Sequence, residues 1–206
     1  MLRLIPKNQQ KRQIPPELAS LGLPERLLEL LLDREIDTPE KIERYLHPKR
    51  EDLLDPMLMQ DMDKAVNVIR DAIEKHEEIT VFGDYDADGV TSTVLLYDYL
   101  VSREAQVFYQ IPLREGEGYG LHKDTVDRLA QEGAGLIITV DNGIAAVEEV
   151  AYAASLGVDV VVTDHHQPQE RLPEAVAVVN PHRADCGSQY KDYAGVGGAF
   201  KLVCAL

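Results

Sequence analysis

The chain has 206 residues, of which 45% are hydrophobic and 28% charged, as in an ordinary soluble globular protein of one core domain with an extension, or of two small domains. No apolar run approaches the roughly 18 residues that span a membrane, and the first residues lack the long apolar core of a signal peptide. The net charge of −15 argues against a nucleic-acid partner, but two divalent ions held by clustered aspartates would offset about four of those charges.

The cysteine content indicates the redox environment. The sequence contains two cysteines, Cys186 and Cys204, which allow at most one bridge and therefore no disulfide framework. A reduced, cytoplasmic setting is the simpler interpretation.

Residues 1–60 are predicted to form a small helical N-terminal extension. A leucine-rich run follows Pro24, which suits a first helical turn. Thr38 is placed to cap a second helix that has Pro39 at its first position and ends before Pro48. Such short helices favour packing on a larger domain, while a small subdomain that contacts a substrate remains the alternative.

From Asp61 onward the pattern predicts an amphipathic helix over 61–76 and then alternating strands and helices. The predicted strands are Ile79–Phe82, Gln106–Ile111, Leu136–Val140, Val158–Thr163 and Ala175–Val179. The predicted helices are Val90–Ser102, Lys123–Glu132, Ala145–Ser155 and 170–174. This alternation is typical of an α/β, doubly wound, mainly parallel sheet with helices on both faces, which binds ligands beyond the carboxyl ends of its strands.

Polar residues follow four of the predicted strands. They are Asp84, Asp86 and Asp88 after the first strand, Arg114 and the glycine loop 116–120 after the second, Asp141 after the third, and Asp164, His165 and His166 after the fourth. Because the carboxyl ends of parallel strands share one edge of the sheet, we expect these side chains to lie at a common site.

The three aspartates after the first strand indicate a divalent metal. A single aspartate would suffice to cap the following helix, and three at alternate positions exceed that need. Crowded carboxylates stay ionised only at a free-energy cost, which bound cations relieve. The glycine and late glutamate of a calcium-binding EF-hand loop do not follow at the required spacing.

The other strand ends complete a two-metal pattern. Asp141 lies in an ordinary turn sequence, and the evidence for it as a ligand is its position one strand end away from the first aspartates. A histidine pair after Asp164 is hard to explain by packing. Several carboxylates with an imidazole favour Mn²⁺ or Mg²⁺ over structural zinc, in a pair that serves phosphoryl displacement. Arg114 either clamps a phosphate oxygen or is an exposed loop charge.

Three segments resemble the motifs of the DHH phosphoesterase family. They are Gly83-Asp-Tyr-Asp-Ala-Asp-Gly89, Thr139-Val-Asp-Asn-Gly143 and Thr163-Asp-His-His166, with supporting matches at Glu117–Leu121, Asn180–His182 and Ala194–Leu202. The matches run in the family's order from about residue 52 to the last residue. Within the family, the resemblance is to single-strand-specific 5′→3′ DNA exonucleases of bacterial repair and recombination.

The resemblance implies roles for the individual residues. The implied ligands of two Mn²⁺ or Mg²⁺ ions are Asp84, Asp86, Asp88, Asp141 and His165, with Asp141 as the bridge and the division of the other aspartates left open. His166 would contact the scissile phosphate or the nucleophilic water, and Asp164 would orient the imidazoles.

The resemblance also implies how the chain is organised. Residues 61–206 would be a DHH domain that is truncated before a fourth motif and a second domain, with weak or no nuclease activity alone. The implied partners are single-stranded DNA and, as candidates, a single-strand-binding protein or a helicase. Two alternatives stay open, namely a relative that acts on short oligonucleotides or cyclic dinucleotides, and a non-catalytic Cdc45-like replication scaffold.

Overall fold

The computed structural model describes residues 13–113 and 120–206. The chain forms two compact units, which divide after Leu54. Arg114 and residues 116–119 of the glycine loop, singled out in the sequence, lie outside the described residues.

The first unit is helical, as predicted. Its helices are α1 (Pro16–Ala19), α2 (Glu25–Leu32) and α3 (Pro39–Leu46), followed by a 3₁₀ turn at Arg50–Asp52. Thr38 caps α3, since its side chain accepts a hydrogen bond of 3.2 Å from the backbone N–H of Lys41. The apolar sides of the helices bury a small core of Leu18, Leu28, Leu31, Leu32 and Ile42.

The second unit is an α/β domain built on a five-stranded parallel sheet of order β2-β1-β3-β4-β5. The strands are β1 (Glu78–Phe82), β2 (Val107–Gln110), β3 (Ala134–Val140), β4 (Asp159–Thr163) and β5 (Ala177–Val179). The helices are α4 (Met62–Glu74), α5 (Ala87–Ser102), α6 (Lys123–Glu132), α7 (Val147–Ser155) and α8 (Gly195–Ala205), with a 3₁₀ turn at Pro56–Leu58. None of the helices in the described ranges has the length and apolar character needed to cross a bilayer.

Helices cover both faces of the sheet, which confirms the predicted fold class. Side chains alternate along a strand, so Ile79 and Val81 of β1 pack in one core with α4, α5 and α8. Phe82 packs in the other core with α6 and α7. Buried on both sides, the strands are the near-continuous β-branched and aliphatic runs expected of a parallel sheet.

The structure differs from the prediction at two helices, one that was predicted but does not form and one that forms but was not predicted. The predicted helix 170–174 is wrong, because those residues form a loop. Pro173 disfavours helical geometry at the residue before it, and the segment between Pro168 and Pro173 is too short to nucleate a helix. Helix α8 was not predicted, because it contains three glycines, each of which is about 1 kcal/mol less favourable in a helix than alanine. Its Ala199 and Leu202 are fully buried, and this packing stabilises the helix.

A buried ion pair fastens the start of α4 to the end of β5. The side chains of Arg183 and Asp61 are each about nine-tenths buried and lie 2.6 Å apart. Arg183 also donates to the carbonyl of Val178, and Lys64 pairs with the second oxygen of Asp61. Burial raises the pKa of Asp61, but hydrogen bonds from Lys64 and Arg183 outweigh burial and hold the pKa below its usual value.

We expect Arg183→Ala to lower the free energy of unfolding by about 2–3 kcal/mol at pH 7, because it leaves the Asp61 carboxylate buried with Lys64 as its remaining cation. The stabilisation from Asp61 is present above its unfolded pKa of 3.8 and is lost as the pH falls through its lower folded pKa. Urea unfolding at pH 7 and pH 3 measures the difference, which narrows in acid. Arg171→Ala, which removes an exposed pair with Glu174, is the control and changes little; equal effects of the two substitutions contradict the prediction.

Candidate metal centre

The predicted aspartates and histidines lie at the place in the sheet where the chain reverses the direction in which it adds strands. β1 and β3 are neighbours, and the chain runs outward from them to β2 on one side and to β4 and β5 on the other. Such a switch point leaves a crevice beyond the carboxyl ends of the two central strands. The segments that begin at Asp84 and at Asp141 both lie there, directly after β1 and β3.

The first two aspartates face this crevice in different ways. Asp86 caps α5, because its Oδ1 accepts hydrogen bonds of 2.9 Å from the N–H groups of Asp88 and Gly89. This capping starts the helix three residues before the predicted Val90. Asp84 is buried, and its Oδ1 has no hydrogen-bond partner within residues 13–113 and 120–206. Burying a carboxylate oxygen without a hydrogen-bond donor costs free energy unless the oxygen coordinates a cation.

The third aspartate makes a long-range contact that the sequence does not show. Asp88 Oδ2 accepts a hydrogen bond of 2.7 Å from Gly195 N–H, and Oδ1 accepts one of 2.8 Å from Val196 N–H. Its Oδ2 lies 3.7 Å from Nε2 of His165. In the described part of the chain, Asp88 belongs to neither group of side chains with metal-ligand spacing, and its role as an ion ligand stays a prediction.

Asp141 is common to both groups with metal-ligand spacing. One group joins it to Asp84 and Asp86, and the other joins it to His165 and His166. Within each group the donor atoms lie within 4.8 Å of one another, and Oδ1 of Asp141 is 3.0 Å from Nε2 of His165. Both groups therefore share Asp141, and its role as a bridge between two ions stays a prediction.

The turn that carries Asp141 is a buried, specifically bonded structure. Asp141 itself has φ of +62°, a left-handed conformation that costs a non-glycine residue about 1 kcal/mol or more. Asn142, fully buried, donates from Nδ2 to the carbonyls of Phe82 (3.3 Å) and Val140 (3.0 Å), so it ties the end of β1 to the end of β3. Asn142 lies within the second motif, but its sequence context indicates no role of its own, because it resembles an ordinary turn residue.

Asp164 fixes the two histidines. Its Oδ1 accepts hydrogen bonds from the backbone N–H groups of His165 (2.7 Å) and His166 (3.1 Å) and pairs with Nδ1 of His166 at 2.7 Å. Its Oδ2 accepts from Ile144 N–H at 2.9 Å. Buried Asn180, which the sequence placed in a supporting segment without a role, donates to the carbonyl of His166 at 2.9 Å. This arrangement supports the predicted orienting role of Asp164.

The site electrostatics favour a bound cation. Burial, followed by the charges of Asp88 and Asp86, raises the pKa of Asp141 from 3.8 to about 7. Burial is also the largest cause of the raised pKa of Asp84. Protonation relieves the repulsion between these carboxylates in the metal-free protein. Divalent ions with oxygen and imidazole ligands relieve the same repulsion at neutral pH. The residues present therefore fit Mn²⁺ or Mg²⁺.

The pKa values of Asp164 and His166, which are hydrogen-bonded to each other, shift in opposite directions. Burial raises the pKa of Asp164, but the hydrogen bonds from His166 and from the backbone of Ile144 outweigh it, and the net pKa lies below the usual value. The hydrogen bond to Asp164 in turn raises the pKa of His166. Asp164 is therefore an ionised acceptor, and Nδ1 of His166 carries the shared proton.

Close packing requires the glycine that ends the first motif, Gly89. A Cβ on Gly89 would lie 2.5 Å from the backbone oxygen of Asp84 and 2.6 Å from its backbone nitrogen. We expect Gly89→Ala to destabilise the protein by about 2–3 kcal/mol, since backbone atoms cannot move aside without displacing the Asp84 carboxylate. Thermal unfolding and Mn²⁺ titration measure the loss of stability and of ion affinity.

Gly198 offers a matched control, because it is also a buried helical glycine but a Cβ there meets nothing within 4 Å. Gly198→Ala is expected to stabilise the protein by about 0.5–1 kcal/mol through helix propensity. A Gly89→Ala protein as stable as Gly198→Ala contradicts the packing argument.

A family model described as the DHH family, N-terminal domain, matches residues 78–205. The chain therefore belongs to the DHH family. It is 46% identical over 177 residues to the single-stranded-DNA-specific exonuclease RecJ of Bacillus subtilis, a match that covers 86% of this chain and 22% of that protein. It is 39% identical over 203 residues to RecJ of Escherichia coli, with coverage of 96% and 34%.

A crystal structure of RecJ from Thermus thermophilus in complex with Mn²⁺ has the same fold. The TM-score is 0.72 at 30% identity, and the match covers 94% of this chain and 27% of that one. The chain thus spans about a third or less of the length of these relatives.

Proposed function

We propose that residues 61–206 form a DHH domain that hydrolyses phosphodiesters of single-stranded DNA with two Mn²⁺ or Mg²⁺ ions. The proposed setting is a cytoplasmic 5′→3′ exonuclease of repair and recombination. The observation that carries the proposal is the meeting of Asp84, Asp86, Asp141 and the histidine pair at the switch point of the sheet. Membership of the DHH family and similarity to RecJ proteins support the substrate and the ions.

The ligand set divides naturally between two ions. Asp84 and Asp86 would hold one ion and His165 would hold the other, and Asp141 would contribute to both sites because it belongs to both groups. When bound, such ions activate water and neutralise the charge of an in-line phosphoryl displacement. The buried turn at Asp141, which Asn142 ties to the ends of β1 and β3, would position this carboxylate for the ions.

His166 is proposed to contact the scissile phosphate. Asp164 accepts a hydrogen bond from Nδ1–H of His166, which leaves Nε2 of the ring to contact the substrate. The raised pKa of His166 favours the imidazolium, which donates a charge-assisted hydrogen bond to a phosphate oxygen. About half of its side-chain surface is exposed, so a phosphate can reach it.

The chain has a net charge of −15, and two divalent ions would offset about four of these negative charges at the place where this substrate would bind. The proposed role of Arg114, a clamp on a phosphate oxygen, would add a positive charge to the site. A single-strand-binding protein or a helicase is proposed as a further partner of the longer exonuclease.

The test is digestion of 5′-labelled single-stranded DNA in Mn²⁺ by two proteins. One is the 206-residue chain. The other is a chimera of the Bacillus subtilis RecJ in which residues 78–205 of this chain replace the residues that align with them. We expect the chimera to release nucleotides from single-stranded DNA and to spare duplex DNA. An Asp141→Asn chimera is the matched inactive control.

Two results would overturn the proposal. Faster cleavage of dinucleotides than of long single strands would assign the site to small substrates. A chimera that is folded yet neither binds Mn²⁺ in calorimetry nor cleaves DNA would favour a scaffold role.

A further inference from the structure

Two tyrosines lie on the segment that leads from β5 to α8. Their rings meet edge to face, with centroids 4.8 Å apart and an angle of 85° between the planes. Tyr193 packs against the backbone of α8, where a Cβ on Gly197 would lie 3.3 Å from Cδ1 of its ring. Tyr190 is 49% exposed, so the tyrosine pair presents part of its aromatic surface to solvent.

Hydrogen bonds hold the exposed tyrosine in place. The hydroxyl of buried Ser188 donates to the carbonyl of Tyr190 at 2.9 Å, and Nζ of Lys191 donates to the carbonyl of Cys186 at 3.0 Å. A tyrosine ring that is exposed and already fixed offers a large contact area and loses little conformational entropy when a ligand packs on it. Exposure combined with a fixed geometry is typical of a binding surface.

A positive charge lies behind the tyrosine pair. Nζ of Lys201 is 5.9 Å from the centre of the Tyr193 ring, and Lys201 is 3% exposed, so its ammonium group lies beneath the aromatic surface. Within residues 186–201 the two lysines, Lys191 and Lys201, outnumber the single acidic residue, Asp192, in a chain whose net charge is −15. The local charge of this surface therefore suits a polyanion better than the charge of the whole chain does.

The tyrosine pair is close to the acidic site along the chain. Gly195 approaches Asp141 so closely that a Cβ on the glycine would lie 2.5 Å from Cγ of the carboxylate. Tyr193 is two residues before Gly195, and two residues span at most about 7 Å. A strand whose phosphate lies at the proposed metal centre can therefore place a neighbouring base at the tyrosine pair.

We propose that Tyr190 and Tyr193 form a stacking site for a base of the single-stranded substrate, beside the phosphate that is cleaved. Every base has a π-face, so stacking on tyrosine holds a strand without reading its sequence. A base in a duplex must first leave its stack, so the site also favours single strands over duplex DNA. This inference rests on the proposed function, because it places the base beside a phosphate that the ions hold.

The test compares two DNA probes on the 206-residue protein. One is a phosphorothioate-linked oligothymidylate, which resists hydrolysis, and the other is an abasic strand of the same length and linkage. Tyr190→Leu removes the exposed ring but keeps an apolar side chain, and Tyr190→Phe keeps the ring. Tyr109→Leu is the matched control, because Tyr109 is 60% exposed and also meets a second tyrosine, Tyr97, edge to face.

Binding is measured by NMR titration in chelator and in Mg²⁺. Tyr190→Leu is expected to weaken binding of oligothymidylate by roughly fivefold to a hundredfold, the value of one stacked base. Tyr190→Phe and Tyr109→Leu are expected to bind it as wild type does, and all four proteins to bind the abasic strand equally. In the wild-type protein, oligothymidylate but not the abasic strand should shift the ring resonances of Tyr190 and Tyr193.

Three results overturn the stacking site. They are a Tyr190→Leu protein that loses equal affinity for both probes, one that loses affinity for neither, and a wild-type protein that binds neither probe in either condition. Failure of the proposed function is recognised separately, by a wild-type chain that binds no Mn²⁺ in calorimetry. In that case the tyrosine resonances in chelator still decide whether the pair stacks on a base.

Discussion

Asp141→Asn is expected to raise the free energy of unfolding of the metal-free protein at pH 8 and to abolish its stabilisation by Mn²⁺. The pKa of Asp141 is about 7 in the folded protein and 3.8 as the ordinary value, so at pH 8 its ionised form is strained by burial and by Asp86 and Asp88. A neutral amide of the same shape removes that strain. Each pKa unit corresponds to about 1.4 kcal/mol, and we expect a gain of about 1–3 kcal/mol.

The pH dependence follows from the same shift. A raised folded pKa contributes stability that is present below pH 3.8 and is lost as the pH rises through about 7. The wild-type protein in chelator should therefore lose stability between pH 5 and pH 8, and Asp141→Asn should lose less. His166, whose pKa is also raised, leaves a residual slope in the variant with the same sign.

Urea unfolding in chelator and in excess Mn²⁺, each at pH 5 and pH 8, measures both parts. Asp71→Asn on α4, where the carboxylate is exposed and 4.0 Å from Lys75, controls for the loss of one negative charge. A variant that is no more stable than wild type in chelator at pH 8, or one that Mn²⁺ still stabilises, contradicts the prediction.

The strands and the site edge were predictable because local pattern determines them. Runs such as Leu136–Val140 are buried on both sides of a parallel sheet, so their composition alone indicates the strand. Because parallel strands end at one edge of the sheet, the sequence alone predicts that Asp84, Asp141 and Asp164 lie at a common site.

The division of labour within the site was not predictable, because it depends on residues distant in sequence. Asp88 bonds to Gly195, which is 107 residues away, and nothing in the spacing of the first motif distinguishes it from Asp86. The roles of Asn142 and Asn180 were not predictable for the same reason, since the sequence does not show which groups an asparagine in a turn will bond to in the fold.

Asp164→Asn is expected to lower the free energy of unfolding by about 3–4 kcal/mol and to lower the pKa of His166 toward 6.5. The side chain of Asp164 is 1% exposed, and every hydrogen bond it makes is accepted, from Ile144, His165 and His166. An asparagine amide turns one acceptor into a donor, which faces an N–H group in either orientation and leaves buried donors unsatisfied. The His166 ring also loses the carboxylate that fixes its Nδ1 proton.

Urea unfolding in chelator measures the stability, and an NMR titration of the histidine resonances measures the pKa. The pKa of Asp164 is lowered in the fold, so its contribution is present above pH 3.8 and is lost as the pH falls through the lower folded value. The gap between wild type and Asp164→Asn should therefore be widest above pH 5 and narrow in acid. Asp159→Asn, at the exposed opposite end of β4, is the control and should change neither quantity. A His166 pKa that stays raised in Asp164→Asn would show that some other group holds the imidazolium, and the proposed route from Asp164 through His166 to the phosphate would then be wrong.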